Sequence, residues 1–262
     1  MGFHYSFQMA WHTKSRPAGG TYLTIKTNPM PDINQRIADN LHQVRERIDA
    51  AAVRSGRRAE DIQLVAVTKY VGLDEIRAVV ATGCNVLGES RPQQLWERAE
   101  QLADLPIRWH FIGHLQRNKI RRTLPSLAMI HSVDSPRLAD ALNQTAGELS
   151  LRVPVLLEVN TSGETAKGGF GPDEIEPEMA TLAEYEHLEI RGLMCMAALE
   201  GGLETARGNF AALRTLRDSL RTNCPANIVL DELSMGMSGD YEVAIEEGAT
   251  IVRVGSALFE GI

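Results

Sequence analysis

Between Ile62 and Val254, short runs rich in β-branched residues alternate with stretches of helical period, eight times over. Parallel strands need a long crossover, normally a helix, between neighbours, so this alternation restricts the fold more than any other feature of the chain. The strand-like runs are 62–68, 86–87, 108–112, 129–133, 153–159, 188–193, 228–233 and 250–254. Helical stretches lie at 73–81, 92–102, 117–122, 136–149, 172–185, 203–221 and 240–247. Eight strands with a helix after each except the last predict an α/β fold, a single closed (β/α)8 TIM-type barrel. An open doubly wound sheet would place a Gly-rich dinucleotide turn after its first strand, and Lys69-Tyr70-Val71-Gly72 stands there instead.

One amphipathic helix precedes the barrel. Ile33, Ile37, Leu41, Val44 and Ile48 recur three or four apart until Gly56 stops the pattern, which predicts an N-terminal helical extension. Residues 1–30 follow no period and lack the apolar core of a signal peptide, so a disordered leader is expected there and the barrel domain over 31–262. No apolar run approaches the roughly 20 residues of a membrane helix. A net charge of −7 without a clustered basic face argues against nucleic acid as a partner. Cys84, Cys195 and Cys224 are odd in number and far apart, which points away from disulfides and zinc and toward the reducing cytoplasm.

Barrel active sites lie at the carboxyl ends of the strands, and Lys69 ends the apolar run Leu64-Val65-Ala66-Val67-Thr68. An amine there can attack an aldehyde; a lysine that caps the strand and reaches into water is the plainer reading. Loops after strands seven and eight commonly bind phosphate, and both are rich in Gly and Ser here: Ser234-Met235-Gly236-Met237-Ser238 and Gly255-Ser256. Arg253 is a charge inside the apolar run Ile251 to Val254, so it must be paired or face a ligand. A pyridine nitrogen would suit it, as would a salt bridge to Glu158 or Asp231. His110 and His114 flank the end of the third strand, with structural hydrogen bonding as their default role. Asn160 opens the loop 161–170, a segment placed to cover a ligand, and Met194, Cys195 and Met196 read as an apolar wall.

Val67-Thr68-Lys69, Leu87-Gly88-Glu89-Ser90-Arg91, the stretch from Trp109 to Lys119, His131-Ser132-Val133-Asp134, Glu158-Val159-Asn160, Arg191-Gly192-Leu193-Met194 and Leu233 to Ser238 occur in that order. Together they resemble the pyridoxal phosphate homeostasis proteins, the YggS/PROSC family. The resemblance implies a barrel like the alanine racemase N-terminal domain, binding pyridoxal 5'-phosphate (PLP) as a Schiff base on Lys69. It further implies that Ser234, Met235, Ser238, Gly255 and Ser256 hold the phosphate and that Arg253 meets the pyridine nitrogen. Ser90, which occupies the family's usual Asn position beside the ring, has a shorter reach. The implied role is to buffer, carry or deliver PLP, with PLP-dependent apoenzymes as recipients, as a monomer with a dimer as the alternative, and without established turnover. Two rivals share the lysine. A racemase-like PLP enzyme would need an acid/base group on each face of its substrate, for which Tyr70 and Tyr241 are the local substitutes. An aldolase-like barrel would use Lys69 on a phosphorylated keto-sugar.

Overall fold

The computed structural model describes residues 32–164 and 167–262; the leader expected over 1–30 lies outside them. Eight parallel strands close into a barrel in sequence order. They are β1 (Gln63–Val67), β2 (Val86–Glu89), β3 (Arg108–Phe111), β4 (Leu127–Val133), β5 (Val153–Glu158), β6 (Leu188–Met194), β7 (Glu232–Ser234) and β8 (Ile251–Val254). β1 pairs with β2 on one side and with β8 on the other, which removes every sheet edge. The helices are α1 (Ile33–Arg54), α2 (Leu73–Ala81), α3 (Pro92–Gln101), α4 (Ile120–Thr123), α5 (Pro136–Glu148), α6 (Ile175–Ala183), α7 (Gly202–Thr222) and α8 (Tyr241–Glu246). The barrel is the one the alternating pattern predicts.

Its eighth helix comes from an unexpected place. β8 leads only into a 3-10 turn, Ser256–Leu258, and α1 fills the gap that this leaves between α8 and α2. Ile37, Leu41, Val44, Ile48, Ala51 and Ala52 are all buried in the main core, so the stripe read as an extension is part of the barrel's outer ring. Asn40 Nδ2 ties α1 to the far end of the chain through the carbonyls of Leu258 at 3.1 Å and Glu260 at 3.0 Å.

The seventh strand is shorter than the run 228–233 suggests. β6 carries an extra residue at Arg191, and its ladder to β7 begins one residue later, at Gly192 opposite Glu232. Residues 228–231 approach β6 through the single bond from Val229 N–H to the Ile190 carbonyl, at 3.1 Å. Gly192 is required there, since a Cβ on it would stand 1.9 Å from the Glu232 carbonyl oxygen. Gly192→Ala is expected to cost about 3 kcal/mol, the upper part of the over-packing range, in a denaturant-unfolding comparison with the wild type.

Inward-facing side chains alternate with outward ones, and the layers they form set the stage for the site. Val65, Leu156, Met194 and Ile251 make an apolar plug inside the barrel, separate from the larger core between strands and helices. Two residues further along β5 and β8 come Glu158 and Arg253, which bring buried charge to the interior toward its C-terminal mouth.

Candidate functional site

Lys69 lies in the turn just past β1, half-buried, with its Nζ 4.9 Å from the centre of the Tyr70 ring. The turn is held from below by a network the sequence reading did not single out. Glu89, fully buried at the end of β2, accepts from the Thr68 hydroxyl and from Arg98 of α3. The same guanidinium donates to the carbonyls of Thr68, at 2.9 Å, and Val71. Arg98 thus clamps the backbone on both sides of Lys69. Burial raises the Glu89 pKa, and the Thr68 hydroxyl and the Arg98 charge offset part of that rise.

At the seventh and eighth strands, the predicted residues divide between two tasks. Ser238 Oγ accepts from the Gly255 N–H at 3.1 Å and the Ala257 N–H at 3.4 Å, so its own proton is free for an acceptor outside. Gly255 lies hard against β1: an added Cβ would meet both Cβ and the carbonyl oxygen of Val67 at 3.3 Å. Ser256 is exposed at the start of the 3-10 turn. These three form a small cradle beside the end of β1, in which the open donors are the Ser238 and Ser256 hydroxyls, since the Gly255 and Ala257 N–H groups are taken by Ser238 Oγ. Ser234, by contrast, is fully buried inside the barrel, and Met235 is a core side chain whose N–H is taken by the Ile251 carbonyl at 3.1 Å. Gly236, at φ +91, makes the turn out of β7, and its carbonyl accepts from the Arg253 N–H at 3.0 Å.

Arg253 is 4% exposed. Its guanidinium donates to Ser234 Oγ at 2.6 Å and to the Cys195 carbonyl at 2.9 Å. Neither carboxylate weighed as its partner takes that role. Asp231 pairs with Arg221 at 3.4 Å, and Glu158 makes no salt bridge to Arg253 among the described residues. Glu158 is itself 7% exposed, and burial followed by the nearby Asp134 charge raises its pKa. A buried cation held only by neutral acceptors keeps its charge available to a ligand.

The remaining candidates fall around this centre. His110 is buried against His131, with Nδ1 2.9 Å from His131 Nε2, and is a structural histidine as its default role had it. His114 is well exposed and pairs through Nδ1 with Asp134 at 2.8 Å, an acidic partner that its sequence neighbourhood did not reveal. Ser90 follows β2 half-buried, with its backbone so near that a Cβ on Gly113 would stand 2.2 Å from the Ser90 carbonyl oxygen. Asn160 folds the loop after β5: it accepts from Gly163 N–H at 3.1 Å and donates to the Glu164 carbonyl at 3.0 Å. Lys167 pins that loop to the Ala197 carbonyl at 2.6 Å. Met194, Cys195 and Met196 do not form one wall: Met194 and Met196 pack at the plug inside the barrel, whereas Cys195 faces the outer core. Tyr241 packs outside the barrel, 5.4 Å beneath the Arg47 guanidinium of α1, so Tyr70 is the one tyrosine of the two beside Lys69.

A closed parallel barrel with a lysine after β1 and Ser- and Gly-bearing turns after β7 and β8 defines a class of protein, and residues 35–261 match the family model of that class, the alanine racemase N-terminal domain. A protein of Aquifex aeolicus, 40% identical over 84% of this chain and 96% of its own length, is named pyridoxal phosphate homeostasis protein. Proteins of Deinococcus radiodurans, at 42% over 81% of this chain and 95% of theirs, and Escherichia coli K12, at 38% over 85% and 95%, carry the same name. The chain belongs to the pyridoxal phosphate homeostasis protein family. PipY of Synechococcus elongatus, solved with PLP bound, matches with a TM-score of 0.77 at 36% identity, covering 85% of this chain and 99% of PipY. Alanine racemase of Clostridium difficile, at 17% identity and a TM-score of 0.66, covers 86% of this chain and 55% of its own, and shares the fold alone.

Proposed function

We propose that this protein binds PLP on Lys69 and acts in PLP homeostasis, holding the cofactor for release to PLP-dependent apoenzymes. The observation that carries this reading is Arg253: a fully buried cation, at the mouth of the barrel, with no carboxylate partner among the described residues. The residues fit the group. Gly255 lets the loop after β8 pack close on Val67 beside Lys69, and Ser238 supplies a free O–H next to it. When bound, PLP supplies an aldehyde carbon for an amine and a phosphate ester for the cradle.

Each side chain then has a defined task. Lys69 offers its amine from a turn that Arg98 and Glu89 keep in place. Ser238 and Ser256 donate to the phosphate from their hydroxyls, and the Gly255 and Ala257 N–H groups hold the Ser238 oxygen so that its proton points away from them. Arg253 donates to the ring nitrogen and, being a donor that holds its proton, leaves that nitrogen unprotonated. An unprotonated ring draws electrons weakly, which suits storage better than turnover. A racemase-like role would require an acid/base group on the second face of a substrate, and the tyrosine beside Lys69 is 80% exposed, open to water. Three free cysteines, two of them buried, support a reducing cytoplasm as its location. Among the described residues, no helix is long and apolar enough to cross a membrane. We read the barrel as working as a monomer.

The test is a visible-absorption titration with PLP and, in parallel, with pyridoxal, which lacks the phosphate. PLP should give a saturable chromophore, and pyridoxal should need at least a hundredfold higher concentration; equal titrations would remove the phosphate cradle from the reading. Ser238→Ala should weaken PLP by about tenfold, the value of one hydrogen bond to a charged group, and leave pyridoxal unchanged.

A further inference from the structure

We propose that Arg253, Ser234, His131 and His110 form a one-directional hydrogen-bond chain across the barrel interior, in which the two histidines are positioning residues that hold the Arg253 guanidinium at the cofactor ring. The proposal rests on the reading of the site as a PLP site. Sequence resemblance gives Ser234 to the phosphate; its surroundings assign it otherwise.

All four side chains are buried. A guanidinium only donates, so the Arg253 contact at 2.6 Å makes Ser234 Oγ an acceptor. The hydroxyl's single proton then goes to His131 Nδ1, 2.8 Å away. His131 therefore carries its ring proton on Nε2 and donates it to His110 Nδ1, at 2.9 Å. His110 in turn carries its proton on Nε2, an atom without a partner in the structure. The reverse polarity would leave two buried groups unmet, the Ser234 proton and a bare His110 Nε2, against one in the forward sense. The arrangement with fewer unmet buried groups is the one proteins keep.

Neither ring can gain a second proton without setting donor against donor. Burial, with a further push from Arg108, brings the His110 pKa down to about 4. Burial also drives His131 well below the usual histidine range, with His110 and Arg253 adding to the effect. The chain is thus neutral, and its lone pairs point toward Arg253. Those dipoles fix the guanidinium as a carboxylate would, but without cancelling its charge. Two of its five N–H groups are used, at Ser234 and at Cys195, and three remain for the ring nitrogen and its surroundings.

Two independent readouts test this. Nitrogen NMR of the imidazoles in the wild-type protein at neutral pH, before PLP is added, should show both rings with Nε2 protonated and Nδ1 bare. With PLP added, His131→Leu should shift the absorption maximum of the bound chromophore and weaken PLP at least tenfold. His131→Gln, whose amide offers an acceptor to Ser234 and a donor to His110, should restore both. Ser234→Ala, a smaller change that cuts the same chain, should reproduce the leucine spectrum even if His131→Leu does not fold. A proton on Nδ1 of either ring overturns the proposal, as does a wild-type spectrum and affinity in the broken variants. Absence of any chromophore in the wild type would instead sink the PLP reading, and the nitrogen assignment would still decide the polarity of the chain.

Discussion

Lys69→Ala is expected to remove the visible chromophore formed with PLP completely and to weaken PLP binding on the order of a hundredfold, about 2.7 kcal/mol. The residual affinity belongs to the phosphate cradle and Arg253, which the substitution does not touch. Folding should be unaffected, because Lys69 sits half-buried in a turn and its side chain makes no hydrogen bond among the described residues. Borohydride reduction of the wild type followed by peptide mass analysis should place the fixed adduct on Lys69. A chromophore that survives in the variant, or an adduct on another lysine, would show that the barrel mouth holds its ligand elsewhere.

Arg98→Ala should cost about 3–5 kcal/mol of stability in denaturant unfolding, the penalty for stripping a buried carboxylate of its partner. Arg98 is 11% exposed and Glu89 not at all, and the second Glu89 oxygen already lacks a partner. Its sign with pH can be worked out. The folded-state pKa of Glu89 is raised, by burial above all, so the folded form binds the proton more tightly than the unfolded chain does. Stability from this group is therefore full below the ordinary Glu pKa and declines as pH rises toward the folded-state value. Without Arg98 the folded-state value goes up further, so the deficit of the variant should grow as pH rises above the raised wild-type value of Glu89 and level off above the still higher value of the variant. The variant should also lose PLP affinity, because the carbonyls of Thr68 and Val71 would no longer be tied down around Lys69. If both Arg98 and Glu89 were replaced by apolar residues of similar size, most of the stability should return while the turn stays loose. A deficit that is flat with pH would mean that Glu89 is already protonated in the wild type.

The fold was legible because eight apolar, β-branched runs admit few alternatives. What stayed hidden was tertiary. The α1 stripe says that one face is buried and not against what, and nothing local distinguishes an extension from a missing eighth helix. Residues 228–233 have the composition of a strand, but the ladder depends on an extra residue in β6, some forty positions earlier. For the candidate site, strand-end position and the Gly/Ser loops suffice to single out Lys69, Ser238 and Gly255, which the fold brings to one end of the barrel. Arg253 is conspicuous as a charge in an apolar strand, and the same signal is present at His131 and Glu89, where it deserved the same weight. Their partners, Ser234 and Arg98, come from other elements, and no spacing within the sequence brings them together.

The union of α1 with the turn after β8 has a consequence for synthesis. A ribosome makes α1 first and β8 last, so the first helix can settle on α2 early, but its contacts with α8 and with the turn after β8 must wait for the end of the barrel. The cradle of Ser238 and Gly255 belongs to the same final stretch. A nascent chain therefore carries Lys69 long before it carries the loops after β7 and β8, and the two sides of the barrel mouth meet only when β8 closes on β1.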